Sequence, residues 1–74
     1  MKKDNIEKLI YGSIHEDKIE EISVVETDVK VFLHSDSYVM YDELQSLHHK
    51  GFTVWYVRVQ GNAPVIELEV PNLE

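Results

Sequence analysis

Apolar residues recur along this chain in two periods. Ile6, Leu9, Ile10 and Ile14 fall at spacings of three and four, the single stripe of a helix. Asp4 and Glu7 stand at the spacing of a capping box, and Gly12 interrupts the stripe, so a first helix is expected over residues 5 to 15. Residues 22 to 34 alternate instead. Ile22 and Val24, then Val29, Val31 and Leu33, are separated by polar or outward positions, which reads as strand. A turn at Thr27-Asp28 sets Glu26 opposite Val29, Val24 opposite Val31 and Ile22 opposite Leu33. The apolar sets then meet on one face, and that match fixes register. The turn lacks the Gly or Asn that tight hairpins favour. Val25, Thr27, Val29, Val31 and Leu33 also alternate without a break, so one long bent strand competes with the hairpin. The hairpin is the preferred reading.

The helical period returns over residues 38 to 50, with Met40, Tyr41, Leu44, Leu47 and His48 on one face. Lys50 followed by Gly51 is a stop signal. The start is open: Ser37 caps it, or Asp42 does with Gln45 completing the box. Two strands then surround Gln60-Gly61-Asn62-Ala63. A four-residue loop sets Val59 opposite Pro64, Val57 opposite Ile66, Trp55 opposite Leu68 and Tyr56 opposite Glu67, with Arg58 beside Val65. Other loop lengths bring Glu67 or Glu69 into the core. Trp55 is therefore expected inside, and Pro71 and Asn72 end the last strand.

The predicted order is α-β-β-α-β-β, an α+β two-layer sandwich with a four-stranded antiparallel sheet and both helices on one face. The chain reads as one small domain over residues 1 to 74. Residues 4 to 36 and 41 to 72 each run cap, helix, glycine and two strands, an αββ pattern that a duplication would produce.

Composition narrows the picture. Seventy-four residues without cysteine make a marginal core that neither disulfides nor thiolate metal sites can brace, so self-association is expected. No apolar run reaches signal-peptide or membrane-span length, and a cytoplasmic protein without a membrane partner is expected. Seven basic residues face 14 acidic ones, a net charge of −7. Residues 19 to 45 hold Glu20, Glu21, Glu26, Asp28, Asp36, Asp42 and Glu43 against Lys30 alone, a net of −6. This charge disfavours phosphate backbones, which need cations to displace counterions. It favours a basic protein partner.

Candidate chemistry is thin. His48 and His49 are helix neighbours and point about 100° apart, so they do not share a metal. His48 is expected half-buried on the apolar stripe, and His49 exposed. His34 with Asp36, and His15 with Glu16 and Asp17, offer ligand atoms but no recognised ligand spacing. Gly12-Ser13 lacks the frame of a nucleophile elbow, and no phosphate-binding glycine motif occurs. The carboxylate pairs Glu20-Glu21 and Asp42-Glu43 read as solvated faces. Neither enzymatic activity nor a cofactor is expected.

The sheet face turned away from the helices is unusual. Phe32, Val54, Tyr56, Val25 and Val65 interleave there with Lys30, His34, Arg58, Glu67 and Glu69, where a free face should be mostly polar. Apolar surface rimmed by charge marks an interaction site. The chain is therefore expected to be a non-enzymatic acidic interaction protein, a regulator or inhibitor of a partner protein, including one that itself binds nucleic acid. Its sites are the sheet face (Phe32, Val54, Tyr56, Arg58, Lys30, Glu67) and the acidic segment (Glu20, Glu21, Glu26, Asp28). A homodimer through the open face is expected. Two alternatives stand beside this reading. One is single-strand nucleic-acid binding through Phe32, Tyr56, Lys30 and Arg58. The other is a small metal-binding or enzymatic subunit.

Overall fold

The computed structural model describes residues 3 to 70. Pro71 and Asn72, expected to end the last strand, lie outside the described residues, as does the side chain of Tyr56. The chain runs α1 (Lys3–Tyr11), a 3-10 turn (Glu16–Lys18), β1 (Ile19–Val25), β2 (Asp28–Leu33), α2 (Tyr41–His49), β3 (Thr53–Gln60) and β4 (Ala63–Glu69). All neighbouring strands are antiparallel, in the order β1-β2-β4-β3. The fold is thus α+β, two helices with an antiparallel sheet. Ile6 and Ile10 of α1 and Leu47 of α2 share one core with Val29, Val31, Leu33, Ile66 and Leu68, so both helices cover the same side. Each hairpin places its second strand in the centre and its first at an edge. The two αββ segments therefore take equivalent positions, except that the 3-10 turn before β1 has no counterpart before β3.

The first helix is shorter than its apolar stripe. It begins at Lys3, which puts Asp4 in the first turn, facing the positive end of the helix dipole, rather than at the cap. After Tyr11 the amides of Ser13 and Ile14 both donate to the Ile10 carbonyl at 2.9 Å, and this tight turn swings Ile14 into the core. Lys50 then reaches across from the end of α2. Its Nζ donates to Ser13 Oγ at 2.6 Å and to the Leu9 carbonyl at 3.3 Å, satisfying an end-of-helix acceptor that α1 leaves open. A side chain at position 12 would crowd that ammonium: a Cβ built on Gly12 lies 3.2 Å from it.

The second helix starts with Met40 as its N-cap, not with Ser37 or Asp42. A methionine offers no good acceptor, and the cap is half a box. The Glu43 carboxylate reaches back to accept from the Met40 amide at 2.9 Å. The other end is fully built. Gly51, at φ 98°, donates to the His48 carbonyl at 2.9 Å, and Phe52 donates to the Leu47 carbonyl at 3.1 Å. These two bonds make a Schellman motif, which also brings the residue after the glycine against the helix. Phe52 and Leu47 are both buried.

That motif overturns the expected place of Trp55. It fixes Phe52 as inward, so Val54 follows it inward by strand alternation. The hairpin imposes the opposite parity: Val57 pairs Ile66 and Val59 pairs Pro64, as expected, with Arg58 on Val65 and Tyr56 on Glu67. The two parities meet in a bulge between Val54 and Tyr56. Val54, not Trp55, stands opposite Leu68, and Trp55 is the extra residue, 61% exposed. Phe52 fills the core place the tryptophan was expected to take.

Residues 22 to 33 do form a hairpin, with a register shifted by two. Val25 pairs Asp28, Val24 pairs Val29 and Ile22 pairs Val31. The two-residue turn is Glu26-Thr27 rather than Thr27-Asp28, and Glu26 supplies the positive φ, 56°, that it needs. A shift of two keeps every side chain on its face, so the core set is unchanged. A second bulge lies between Ile19 and Glu21 and lets Ile19 reach Leu33.

Candidate interaction surface

Three surfaces are left once the core is filled. The open sheet face is the first. Cross-strand register brings Lys30 beside Glu67 and Arg58 beside Val65. Glu67 lies 3.9 Å from Lys30 Nζ and 3.8 Å from Arg58 Nη2, so one carboxylate serves both cations. Val65, flanked by Phe32 and Arg58 in the ladder, is only 2% exposed although no helix covers that face. Phe32 is half-buried. The predicted set of Phe32, Lys30, Arg58 and Glu67 is therefore assembled, and its charges are mutually engaged. Val54 does not belong to it, because the β3 bulge turns it to the helix side, against the core.

The second surface is the outer edge of the β1–β2 hairpin. Glu20 and Glu21 occupy the β1 bulge, Glu26 the turn and Asp28 the start of β2, and all four are exposed. Among the described residues no cation forms an ion pair with any of them. Asp28 instead sits across the ladder from Glu69. A shallow hollow of about 250 Å³ lies beside them, lined by Ser23, Val25, Asp28 and Lys30.

The third surface was not anticipated. Among the described residues β3 is the opposite sheet edge, and Trp55, Val57 and Val59 (70% exposed) lie along it. Beside it an open groove of about 490 Å³ runs between α2 and β3, lined by Tyr41, Leu44, Gln45, His48, Thr53 and Val54. Tyr41 at its rim is itself 72% exposed. A sign was present in the sequence: "TVWYVRVQ" contains no acid in a chain of net charge −7.

One further cluster is structural. Glu43, with its side chain 12% exposed, accepts from the Met40 amide, from the His15 amide at 3.3 Å and from Lys18 Nζ at 3.1 Å. Lys18 Nζ also lies 4.6 Å from the centre of the Tyr38 ring. Burial pushes the Glu43 carboxyl up, but the two backbone amides and the Lys18 ammonium outweigh it, and its pKa is lowered overall. Glu43 thus ties the start of α2 to the turn before β1.

The histidines are dispersed. His48 is exposed rather than half-buried, and so is His49, with ring centres 6.2 Å apart and planes tilted by 57°. His15 and His34 are exposed at separate turns, and His15 Nδ1 lies 3.7 Å from Asp17. Among the described residues no three His, Asp or Glu side chains gather as a metal site. Nor is any described helix long and apolar enough to cross a membrane. No family model, curated protein or solved structure matches the chain.

Proposed function

We propose that the protein is a small acidic, non-enzymatic interaction protein of the cytoplasm, a regulator or inhibitor that docks its β1–β2 edge on a basic surface of a partner protein. The observation that carries this reading is the set of four exposed carboxylates, Glu20, Glu21, Glu26 and Asp28, with no ion-paired cation among the described residues. A fold this small gains little from concentrating like charge at one edge, since the repulsion opposes compaction. A basic partner gives that charge a use. The surface it fits is one that otherwise accepts phosphates, so a nucleic-acid-binding protein is a suitable target. Direct binding of nucleic acid is the weaker reading, because Lys30 and Arg58 already share Glu67 on the face that would take the strand.

The test is affinity capture from the native host at low salt, followed by salt elution, with wild type beside a Glu20→Lys, Glu21→Lys double variant. The reading expects a basic protein that wild type retains, that salt releases and that the variant fails to hold. Equal retention by both proteins at every salt concentration overturns it.

A further inference from the structure

We propose that β3 pairs antiparallel with β3 of a second copy of this chain, joining two four-stranded sheets into one of eight strands. This inference does not depend on the partner proposed for the acidic edge.

β3 runs for eight residues, Thr53–Gln60, and among the described residues its only strand neighbour is β4, on one side. In an antiparallel ladder every second residue of such a strand turns its N–H and C=O away from its neighbour, so β3 offers a row of unpaired donors and acceptors. Natural edges are usually blunted by lysine, proline, inward charge or a covering loop. β3 has none of the first three. Its only charge is Arg58, which Glu67 already engages at 3.8 Å. Its exposed large apolar side chains are Trp55, Val57 and Val59, and Val57 and Val59 share the parity of the buried Ile66 and Pro64 that they pair with, on the helix side. The Trp55 bulge limits regular pairing to the stretch after it, residues 56 to 60.

Charge decides that the occupant is a second copy. Two chains of net charge −7 repel, and the contact that joins them must keep their carboxylates apart. The order β1-β2-β4-β3 does this when the β3 edges meet. The two β1 strands then lie seven strand spacings apart, about 34 Å at about 4.8 Å per spacing. That is several Debye lengths at physiological salt, about 8 Å each, so the acidic edges are screened from one another. Pairing through β1 would bring Glu20 and Glu21 of both copies into one seam. Pairing β3 with β1 of another copy would form an open chain and would thread the Glu20 bulge into the ladder. Only β3 with β3 closes without bringing acid to the seam; pairing over residues 56 to 60 sets Arg58 opposite its own copy, each guanidinium being engaged by Glu67 of its own chain. A basic partner gains nothing here, because the edge carries no carboxylate for it to meet.

Sedimentation equilibrium from micromolar to millimolar chain tests this with wild type, Val59→Lys and Phe32→Glu. Wild type should be a reversible dimer. Val59→Lys sets two ammonium groups near one another across the seam. It should weaken association by about a hundredfold or more while leaving circular dichroism and melting of the monomer unchanged. Phe32→Glu, on the open face, should still dimerise. Amide exchange of the outward β3 amides should be slowed in the wild-type dimer and fast in Val59→Lys, a readout that requires no variant of the core. A wild-type monomer at millimolar concentration overturns the proposal. So does a dimer that Val59→Lys leaves intact, and so does a dimer abolished by Phe32→Glu, which would place the contact on the open face.

Discussion

The two edges of this sheet are strands of similar length with opposite surface chemistry. β1 carries Glu20 and Glu21 at a bulge, and its hairpin partner begins at Asp28. Carboxylates at an edge make strand addition costly, and a bulge there spoils the ladder. β1 is in that sense closed to its own kind and open to cations. β3 also has a bulge, but the residue displaced by it is Trp55, and no acid lies anywhere along the strand. The same device produces a charged edge in one hairpin and an apolar edge in the other. The difference lies in which residue the parity conflict expels, a glutamate before Ile22 or a tryptophan after Val54.

The largest expected effect tests whether β3 buries its aromatic inside or wears it outside. Phe52 is fully buried against Leu47, so Phe52→Ala should cost about 3–5 kcal/mol, near the whole stability of a domain this size. Trp55→Ala, three residues on, should change stability by less than about 1 kcal/mol, as surface substitutions do. Chemical denaturation of both variants checks the pair. A reversed ranking would return Trp55 to the core and remove the apolar edge.

The next effect concerns what holds β1 in place. Removing the Glu43 carboxylate as Glu43→Ala leaves Lys18 and two amides without their acceptor, and should cost about 1.5–3 kcal/mol. Because its pKa is lowered on folding, the stability Glu43 contributes is fully present above its unfolded pKa, about 4.3. It is lost as pH falls through the lower folded value. Melting temperature should therefore drop on acidification below about pH 4.3, and Glu43→Gln should lose part of that dependence. An unchanged acid profile in Glu43→Gln would mean that Glu43 does not hold the start of α2 to the turn before β1 through its charge.

Much of this contrast could not be read from the chain alone. Both helices, both hairpins and most of the β3–β4 register follow from local periods, because those periods come from backbone geometry. The Val59–Pro64 and Val57–Ile66 pairs needed only the turn and the pattern. Trp55 was misplaced because two correct local signals disagree. The glycine stop at Gly51 sets one parity and the Gly61 turn sets the other. Nothing in a single strand says where the extra residue goes. The β1–β2 register slipped because Glu26 adopts a positive φ that glutamate rarely takes, so its turn gave no glycine signal. Glu43 was passed over as a solvated acid, since its partner Lys18 lies 25 residues away and only the fold unites them. Of the candidate residues, the shared face of Phe32, Lys30, Arg58 and Glu67 and the exposure of Glu20, Glu21, Glu26 and Asp28 were legible, the side of Val54 was not, and the Tyr56 side chain lies outside the described residues. The β3 edge was not legible, because it depends on strand order.

Charge reversal on the acidic edge gives a smaller effect, read in rates rather than in stability. Glu20→Lys with Glu21→Lys should slow association with a basic partner and flatten its dependence on salt, since exposed charges act mainly through steering. It should leave the β3 dimer untouched. If the reversal instead disrupts self-association, the two edges are not independent, and the division of labour between them fails.

The smallest expected effect is a gain. Asp28 and Glu69 lie directly across the β2–β4 ladder, and like charges at opposed positions are destabilising. Glu69→Lys turns that opposition into attraction and should raise stability by about 0.2–1 kcal/mol, measurable as a small rise in the denaturation midpoint. The sign matters more than the size. The chain keeps a locally unfavourable pair at the end of the very hairpin that bears Glu20, Glu21 and Glu26. Where a local rule is broken without a compensating contact, function is the expected reason. If Glu69→Lys stabilises the fold and also weakens capture of the basic partner, the opposed carboxylates belong to the docking edge. If it stabilises the fold and capture is unchanged, Asp28 drops out of the interface and the edge narrows to the β1 bulge and the turn. A loss of stability would mean that Glu69 is held by something other than its opposition to Asp28, and the ladder there would have to be read again.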